Sequence, residues 1–141
     1  MGVEINYLAV LLAALSTMAV GAFWYTPAVF GNLWMKLAHV KPDKNMSAGQ
    51  SALMYGLAFV GSLVTAYVLA HVTFLSNHFF HNNFMQDALT TAFWLWLGFT
   101  AARLLVHDTF EGRPRLLTLL NSAHELFTFM VMALIIGAMG V

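Results

Sequence analysis

The sequence predicts an all-α integral membrane protein: a bundle of four transmembrane helices with a short interfacial amphipathic helix after the first. Three observations lead to this fold class. Of the 141 residues, 60% are apolar and only 9% are charged, the mean hydropathy is +0.75, and the apolar residues gather in four long runs. This composition is typical of membrane proteins, and the length predicts one four-span domain over residues 1–141.

Each apolar run is long enough to cross a hydrocarbon layer about 30 Å thick. The runs cover approximately residues 4–24, 50–72, 86–107 and 115–139. The first run carries Glu4 in place of a positively charged start and ends without a small-x-small cleavage site. We therefore expect a retained span rather than a signal peptide.

The charges around the loops predict how the chain is threaded. All six Lys and Arg residues lie near the first loop (Lys36, Lys41 and Lys44) or the third (Arg103, Arg113 and Arg115), and the second loop has none. Cytoplasmic loops carry the excess of Lys and Arg in membrane proteins. The sequence therefore predicts a multi-pass inner-membrane protein with loops one and three cytoplasmic and both termini outside.

The composition also limits which classes of partner the protein is expected to bind. The net charge is zero and the chain has no basic run, so we expect membrane lipid around the protein and no nucleic-acid partner. Cysteine is absent. Disulfides, thiol catalysis and cysteine-ligated clusters are therefore excluded.

Start signals place the helices along the chain. Thr26 is a predicted N-cap with Pro27 at the first helical position, and apolar residues at helical spacing over 28–40 predict the amphipathic helix of the cytoplasmic interface. Ser47-Ala-Gly-Gln50 predicts a capping box for the second span, and Asn83 predicts the start of the third.

Spans one and two carry small residues at every fourth position. The rows are Ala9, Ala13, Thr17 and Gly21 in the first span and Ala58, Ser62, Ala66 and Ala70 in the second. In lipid, such rows let helix backbones approach closely. They predict either packing inside one bundle or a surface on which copies of the chain form a homo-oligomer.

A longer motif, Gly21-Ala-Phe-Trp24-Tyr25-Thr-Pro27-Ala-Val-Phe30-Gly31-Asn-Leu-Trp34, resembles a bacterial family of short four-span membrane proteins catalogued as domain of unknown function 1761. Three further stretches fit the same pattern: Asn6, Trp96-Leu-Gly98-Phe99 and Phe110-Glu111-Gly-Arg113-Pro114. The resemblance therefore extends over the whole chain. It implies the four-span fold and the membrane location, and it carries over no activity.

The fourth span opens with a polar stripe. Asn121, His124 and Glu125 are spaced at i, i+3 and i+4 and so share one helix face. Counted from Leu116 at about 1.5 Å per residue, Glu125 lies roughly 13 Å along the helix, near the middle of the apolar layer. A charge at that depth costs about 2.5–3.5 kcal/mol. Glu125 must therefore be protonated or paired with a cation.

Span three supplies the predicted counter-charge. Thr100, Arg103 and His107 share a face of that helix. We therefore expect an ion pair between Arg103 and Glu125, with the polar stripe of span four facing span three. An alternative is that the polar residues only tie helices together by hydrogen bonds.

The candidate catalytic residues are His124 and Glu125, as proton donor and acceptor, and Arg103, as the anchor for an anionic group. The candidate binding residues are Asn121, His107, Glu111, Trp96 and Asn6. We expect Glu111 to order the third loop by pairing with Arg103 or Arg113. No metal site is predicted, because His78 and His81 have ligand spacing but no obvious third ligand follows.

Three functions fit these residues. The first is an intramembrane pocket between spans three and four that binds or modifies a lipophilic small molecule. The alternatives are an oligomer that conducts ions or protons, or is otherwise a transporter, and a structural or accessory membrane subunit. No residue set matches a known catalytic signature, so whether the protein is an enzyme stays open, as does any cofactor.

Overall fold

The computed structural model describes residues 2–41 and 45–140, and this part of the chain is helical without strands. It contains five helices: α1 (Tyr7–Trp24), α2 (Gly31–Ala38), α3 (Ala48–Phe80), α4 (Phe84–Phe110) and α5 (Arg115–Met139). Within α4, Trp96–Ala101 is a π-helical segment.

Four of these helices, all except α2, are long and apolar enough to cross a membrane. The all-helical prediction with four long apolar segments is confirmed, and the segments indicate a multi-pass membrane protein. α3 is longer than its apolar run predicts, because residues 73–80 contain no Gly or Pro to end the helix. It ends at His81, which adopts a left-handed backbone conformation.

The predicted start of the short second helix is wrong by four residues. Thr26 does not cap it, because its hydroxyl donates to the Phe23 carbonyl of α1, 2.8 Å away. Residues 26–30 form turns instead, closed by a hydrogen bond from the Gly31 N–H to the Thr26 carbonyl at 2.9 Å. The helix therefore begins at Gly31 rather than at Pro27.

The other two start signals are confirmed. Ser47 and Gln50 make both hydrogen bonds of a capping box at the start of α3. The Asn83 side chain caps α4 by accepting a hydrogen bond from the Met85 N–H at 2.9 Å.

The long helices form a ring in the order α1, α3, α4, α5, in which each packs mainly on its two neighbours. α2 packs on α5. The buried core is rich in alanine, so the helices approach closely: Val10, Ala13, Ala14, Ala66, Leu69, Ala70, Ala88, Ala92, Phe129, Met132, Ala133 and Ile136.

The two small-residue rows face each other inside this ring. Ala13 and Ala66 are fully buried, and the Thr17 hydroxyl lies 2.8 Å from that of Ser62. The interpretation that the rows pack the bundle is confirmed. Ala58 of the second row is exposed.

Buried carboxylates hold the two short turns of the bundle. Asp87 accepts hydrogen bonds from Asn77 at 2.8 Å and Asn82 at 3.1 Å at the α3–α4 turn. Asp108, near the α4–α5 turn, accepts one from Thr118 at 2.7 Å. Hydrogen bonds from donors of neighbouring elements thus offset the cost of burying each carboxylate.

α3 and α4 are close near the turn that joins them and separate toward their other ends. α3 buries side chains only between Ala66 and Thr73, and its residues 52–58 are all exposed. In the same half of the bundle, most of the last turns of α4 are exposed. This separation leaves the fourth-span polar stripe accessible from inside the ring.

We predict that Gly31→Ala destabilises the protein. The added Cβ would meet the Tyr25 carbonyl oxygen and lie 2.8 Å from that of Thr26, so the turn must shift. We expect a loss of about 1–3 kcal/mol in the free energy of unfolding, measured as a lower melting temperature in detergent. Gly56→Ala is the control, since its Cβ meets nothing within 4 Å. Equal melting temperatures for the two variants would contradict the prediction.

Candidate functional site

A cavity of about 720 Å³ lies between α1, α3 and α5. Its walls are mostly apolar, with hydroxyl groups, one imidazole and one carboxylate among them. The lining residues are Thr17, Met18, Gly21, Ala22, Tyr25, Tyr55, Ala58, Gly61, Ser62, Thr65, His124, Glu125, Thr128, Phe129 and Met132. We call it the larger cavity.

His124 is the polar centre of the larger cavity wall. Its Nδ1 lies 3.5 Å from the Glu125 Oε1, and its ring packs on Trp24 and Tyr25 with centroid distances of 5.7 and 5.0 Å. Its Nε2 is buried and has no hydrogen-bond partner among the described residues. Gly21 is next to the ring: a Cβ there would lie 3.9 Å from Nε2, an ordinary van der Waals distance.

The turn after α1 folds the aromatic motif around this imidazole. Tyr25 packs on Trp34 of α2 with a centroid distance of 5.3 Å. The Trp34 indole N–H donates to the Asn121 Oδ1 at 3.1 Å and so docks α2 on α5. Asn121 is therefore a docking residue for α2 and is absent from the walls of the larger cavity.

Tyr25 keeps its proton in this position. Burial raises the pKa of the Tyr25 hydroxyl to about 12, and the nearby Glu125 carboxylate adds to the rise. Near neutral pH the hydroxyl is therefore a neutral hydrogen-bonding group on the cavity wall.

A smaller cavity of about 290 Å³ lies between α4 and α5. Thr100, Arg103, His107 and Glu125 line it together with two apolar residues, Phe99 and Leu104. The prediction that Thr100, Arg103 and His107 share a face is confirmed. Glu125 lines both cavities. Its carboxylate therefore lies between the larger cavity, whose walls are mostly apolar, and the smaller cavity, which Arg103 and His107 line.

The predicted ion pair between Arg103 and Glu125 does not form. Among residues 2–41 and 45–140, the ion-pair contact of Glu125 within 4.0 Å is to His124. Arg103 is exposed on the part of α4 that diverges from α3. The α4 segment before Arg103 is π-helical, and a π turn alters the direction of the residues that follow.

The position predicted for the pocket, between spans three and four, is that of the smaller cavity, which Arg103, His107 and Glu125 line; the larger cavity lies elsewhere. His124 and Glu125 face α1 and α3 across the larger cavity, and only the smaller cavity lies between spans three and four. The helical spacing identified the polar face of span four correctly. It did not identify the helices opposite that face.

Two predicted binding residues from the third span and its loop lie outside both cavities. Glu111 pairs with Arg113 at 2.6 Å, which confirms one of its two expected partners. The Trp96 indole donates to the Ser122 carbonyl at 2.9 Å and so ties α4 to α5.

Asn6 lies at the opposite end of the bundle from the α4–α5 turn. It caps α1 by accepting a hydrogen bond from the Ala9 N–H at 3.1 Å, and its side-chain amide is 3.4 Å from the Met139 carbonyl. His78 and His81 are on this side too, with ring centroids 6.2 Å apart. Over the described ranges, no group of three His, Cys, Asp or Glu side chains is arranged to hold a metal ion.

Sequence reasoning missed several residues of the larger cavity. Tyr25 and Tyr55 were not predicted to line it, and the small residues of span two were interpreted as a packing surface or a surface for association of copies. These residues carried no sequence signal for a cavity. The π-helical segment also carried no recognisable sequence signal.

A family model described as "Protein of unknown function (DUF1761)" matches residues 8–137. The chain belongs to this family. The match covers all lining residues of both cavities, so the DUF1761 domain includes the whole candidate site. No curated protein and no solved structure is detectably similar to the chain. Membership of DUF1761 confirms the resemblance and supplies no activity.

We predict that Trp34→Phe loosens α2. The variant keeps an aromatic ring but leaves the Asn121 Oδ1 without its donor, at a cost of about 1 kcal/mol. The measurement is the melting temperature in detergent. Trp94→Phe is the control, because Trp94 is 62% exposed. A Trp34→Phe protein as stable as the control would show that the hydrogen bond does not hold the helix.

Proposed function

We propose that this DUF1761 protein binds a lipophilic small molecule in the larger cavity, with His124 and Glu125 at the polar end of the ligand. The observation that carries the proposal is the cavity itself. Its volume of about 720 Å³ is within the range of about 300–1,000 Å³ usual for small-molecule sites. Such sites combine apolar walls with a few placed polar groups.

Two unpartnered polar atoms on adjacent turns of α5 support this proposal. The His124 Nε2 and the Thr128 Oγ1 are buried without a hydrogen-bond partner among the described residues, and Thr128 is only 6% exposed. Both residues line the larger cavity. Buried polar atoms in native proteins are rarely left unpaired. Because both atoms are buried beneath the cavity wall, a polar group of the ligand would pair with them once the side chains turn toward the cavity.

The same groups suit proton transfer. If the His124 Nδ1–H points to the Glu125 carboxylate, the neutral imidazole presents Nε2 as an acceptor. An imidazole oriented by a carboxylate is a competent general base. Modification of the ligand at His124 is therefore part of the proposal, with Glu125 as the orienting group. Arg103 lines the smaller cavity and not the larger one, so an anionic group would be held outside the larger cavity.

The ligand would enter from the side of α3. Tyr55 at the cavity wall is 62% exposed, and Ala58 and Gly61 are exposed as well. In a bilayer these residues would face acyl chains, so a lipophilic molecule would reach the cavity from the lipid. Conduction through a homo-oligomer is less favoured, because most residues of the small-residue rows that would form its interface are buried within the chain.

We propose the orientation that the loop charges predict: an inner-membrane protein with the α1–α3 and α4–α5 connections cytoplasmic. The absence of cysteine permits single-cysteine labelling. In intact spheroplasts, a membrane-impermeant maleimide should label His78→Cys and should label Glu111→Cys only after the membrane is opened. The reverse pattern would overturn this orientation.

The binding proposal predicts that Gly61→Trp empties the site. A Cβ at Gly61 meets nothing within 4 Å and Gly61 lines the cavity, so we expect the indole to occupy space in the cavity. Native mass spectrometry of gently extracted wild-type protein should show a discrete bound molecule that Gly61→Trp loses. Gly56→Trp is the matched control, because Gly56 has the same open space but does not line the cavity. Wild-type protein without a bound molecule, or equal occupancy in both variants, would contradict the proposal.

A further inference from the structure

We infer that the larger cavity selects lipophilic organic cations. The inference rests on the proposed function and adds the chemical class of the ligand. Glu125 is the one formally charged residue among the described residues that line the cavity, and no Lys or Arg lines it. The cavity therefore combines apolar walls with a single negative charge.

The Glu125 carboxylate has room for a cationic partner. Its side chain is 39% exposed, and its ion contact within the described chain is a 3.5 Å approach to His124. In a membrane, a carboxylate without a strong counter-charge is costly, and intramembrane acids pair with cations. A bound organic cation would supply that pairing, whereas a bound anion would meet a like charge.

Groups that line the cavity near Glu125 also favour a positively charged ligand. The Tyr25 ring lines the cavity beside His124, and aromatic faces attract cations. Apart from His124, the other polar lining groups are hydroxyls, which accept hydrogen bonds as well as donate them; they belong to Thr17, Tyr55, Ser62, Thr65 and Thr128. The basic groups near Glu125, Arg103 and His107, line the adjoining smaller cavity, which shares Glu125 with the larger one.

Three hydrophobic probes test this selectivity by equilibrium dialysis against purified protein in a neutral detergent. They are tetraphenylphosphonium, its anionic shape-match tetraphenylborate, and the neutral triphenylphosphine oxide, each corrected for protein-free micelles. We expect the wild type to bind the cation about tenfold or more tightly than the neutral probe and the anion most weakly. Glu125→Gln should lower cation affinity to that of the neutral probe without affecting the neutral probe.

Glu4→Gln is the matched control, because Glu4 is an exposed carboxylate before α1. It should bind all three probes like the wild type. Size-exclusion chromatography tests whether the Glu125→Gln protein is folded. Gly61→Trp is a second variant, which keeps the Glu125 charge and should weaken cation binding by filling the cavity.

The outcomes separate the inference from the proposed function. Equal affinity for the three probes, or cation binding that Glu125→Gln leaves unchanged, overturns the inference; neutral-probe binding that Gly61→Trp lowers would still support the pocket. Failure of every probe to bind also overturns the inference. The proposed function would then be decided by the molecule bound to gently extracted protein.

Discussion

Polar groups inside a membrane bundle have no bulk water to satisfy them, and this constraint governs the arrangement of the described helices. Asp87 and Asp108 are buried at two turns, and each accepts hydrogen bonds from nearby side chains. Thr17 and Ser62 meet where α1 packs on α3. Polar pairing and close-packed alanines therefore hold the ring together, since apolar contact alone drives little association in lipid.

The buried Trp24 Nε1, Thr73 Oγ1 and Thr128 Oγ1 depart from this pattern, and so does the His124–Glu125 pair. Their approach of 3.5 Å is long for a hydrogen bond, and the His124 Nε2 has no partner in the described structure. The pair coincides with the larger cavity and with the point where α3 and α4 separate. The buried carboxylates of Asp87 and Asp108 have hydrogen-bond donors, whereas the Glu125 side chain is 39% exposed beside a cavity. This difference is expected of a binding site.

Much of the fold followed from local patterns, because their causes are local. The Ser47–Gln50 capping box and the Asn83 cap involve residues within one helical turn, so spacing alone located them. Thr26 failed as a cap because its hydroxyl bonds back to α1. The same residue type can close one helix or open the next, and the backbone path selects between these roles.

By itself, the sequence determined the four long apolar helices and placed His124 and Glu125 next to each other on the fourth. Each of these depends on helical periodicity and residue count. Only the tertiary structure decided which elements the polar residues contact. His124 faces α1 and α3, Trp34 donates a hydrogen bond to Asn121, and Arg103 forms no ion pair with Glu125. Periodicity specifies which residues share a face, whereas helix packing and the π-helical segment decide what lies opposite that face.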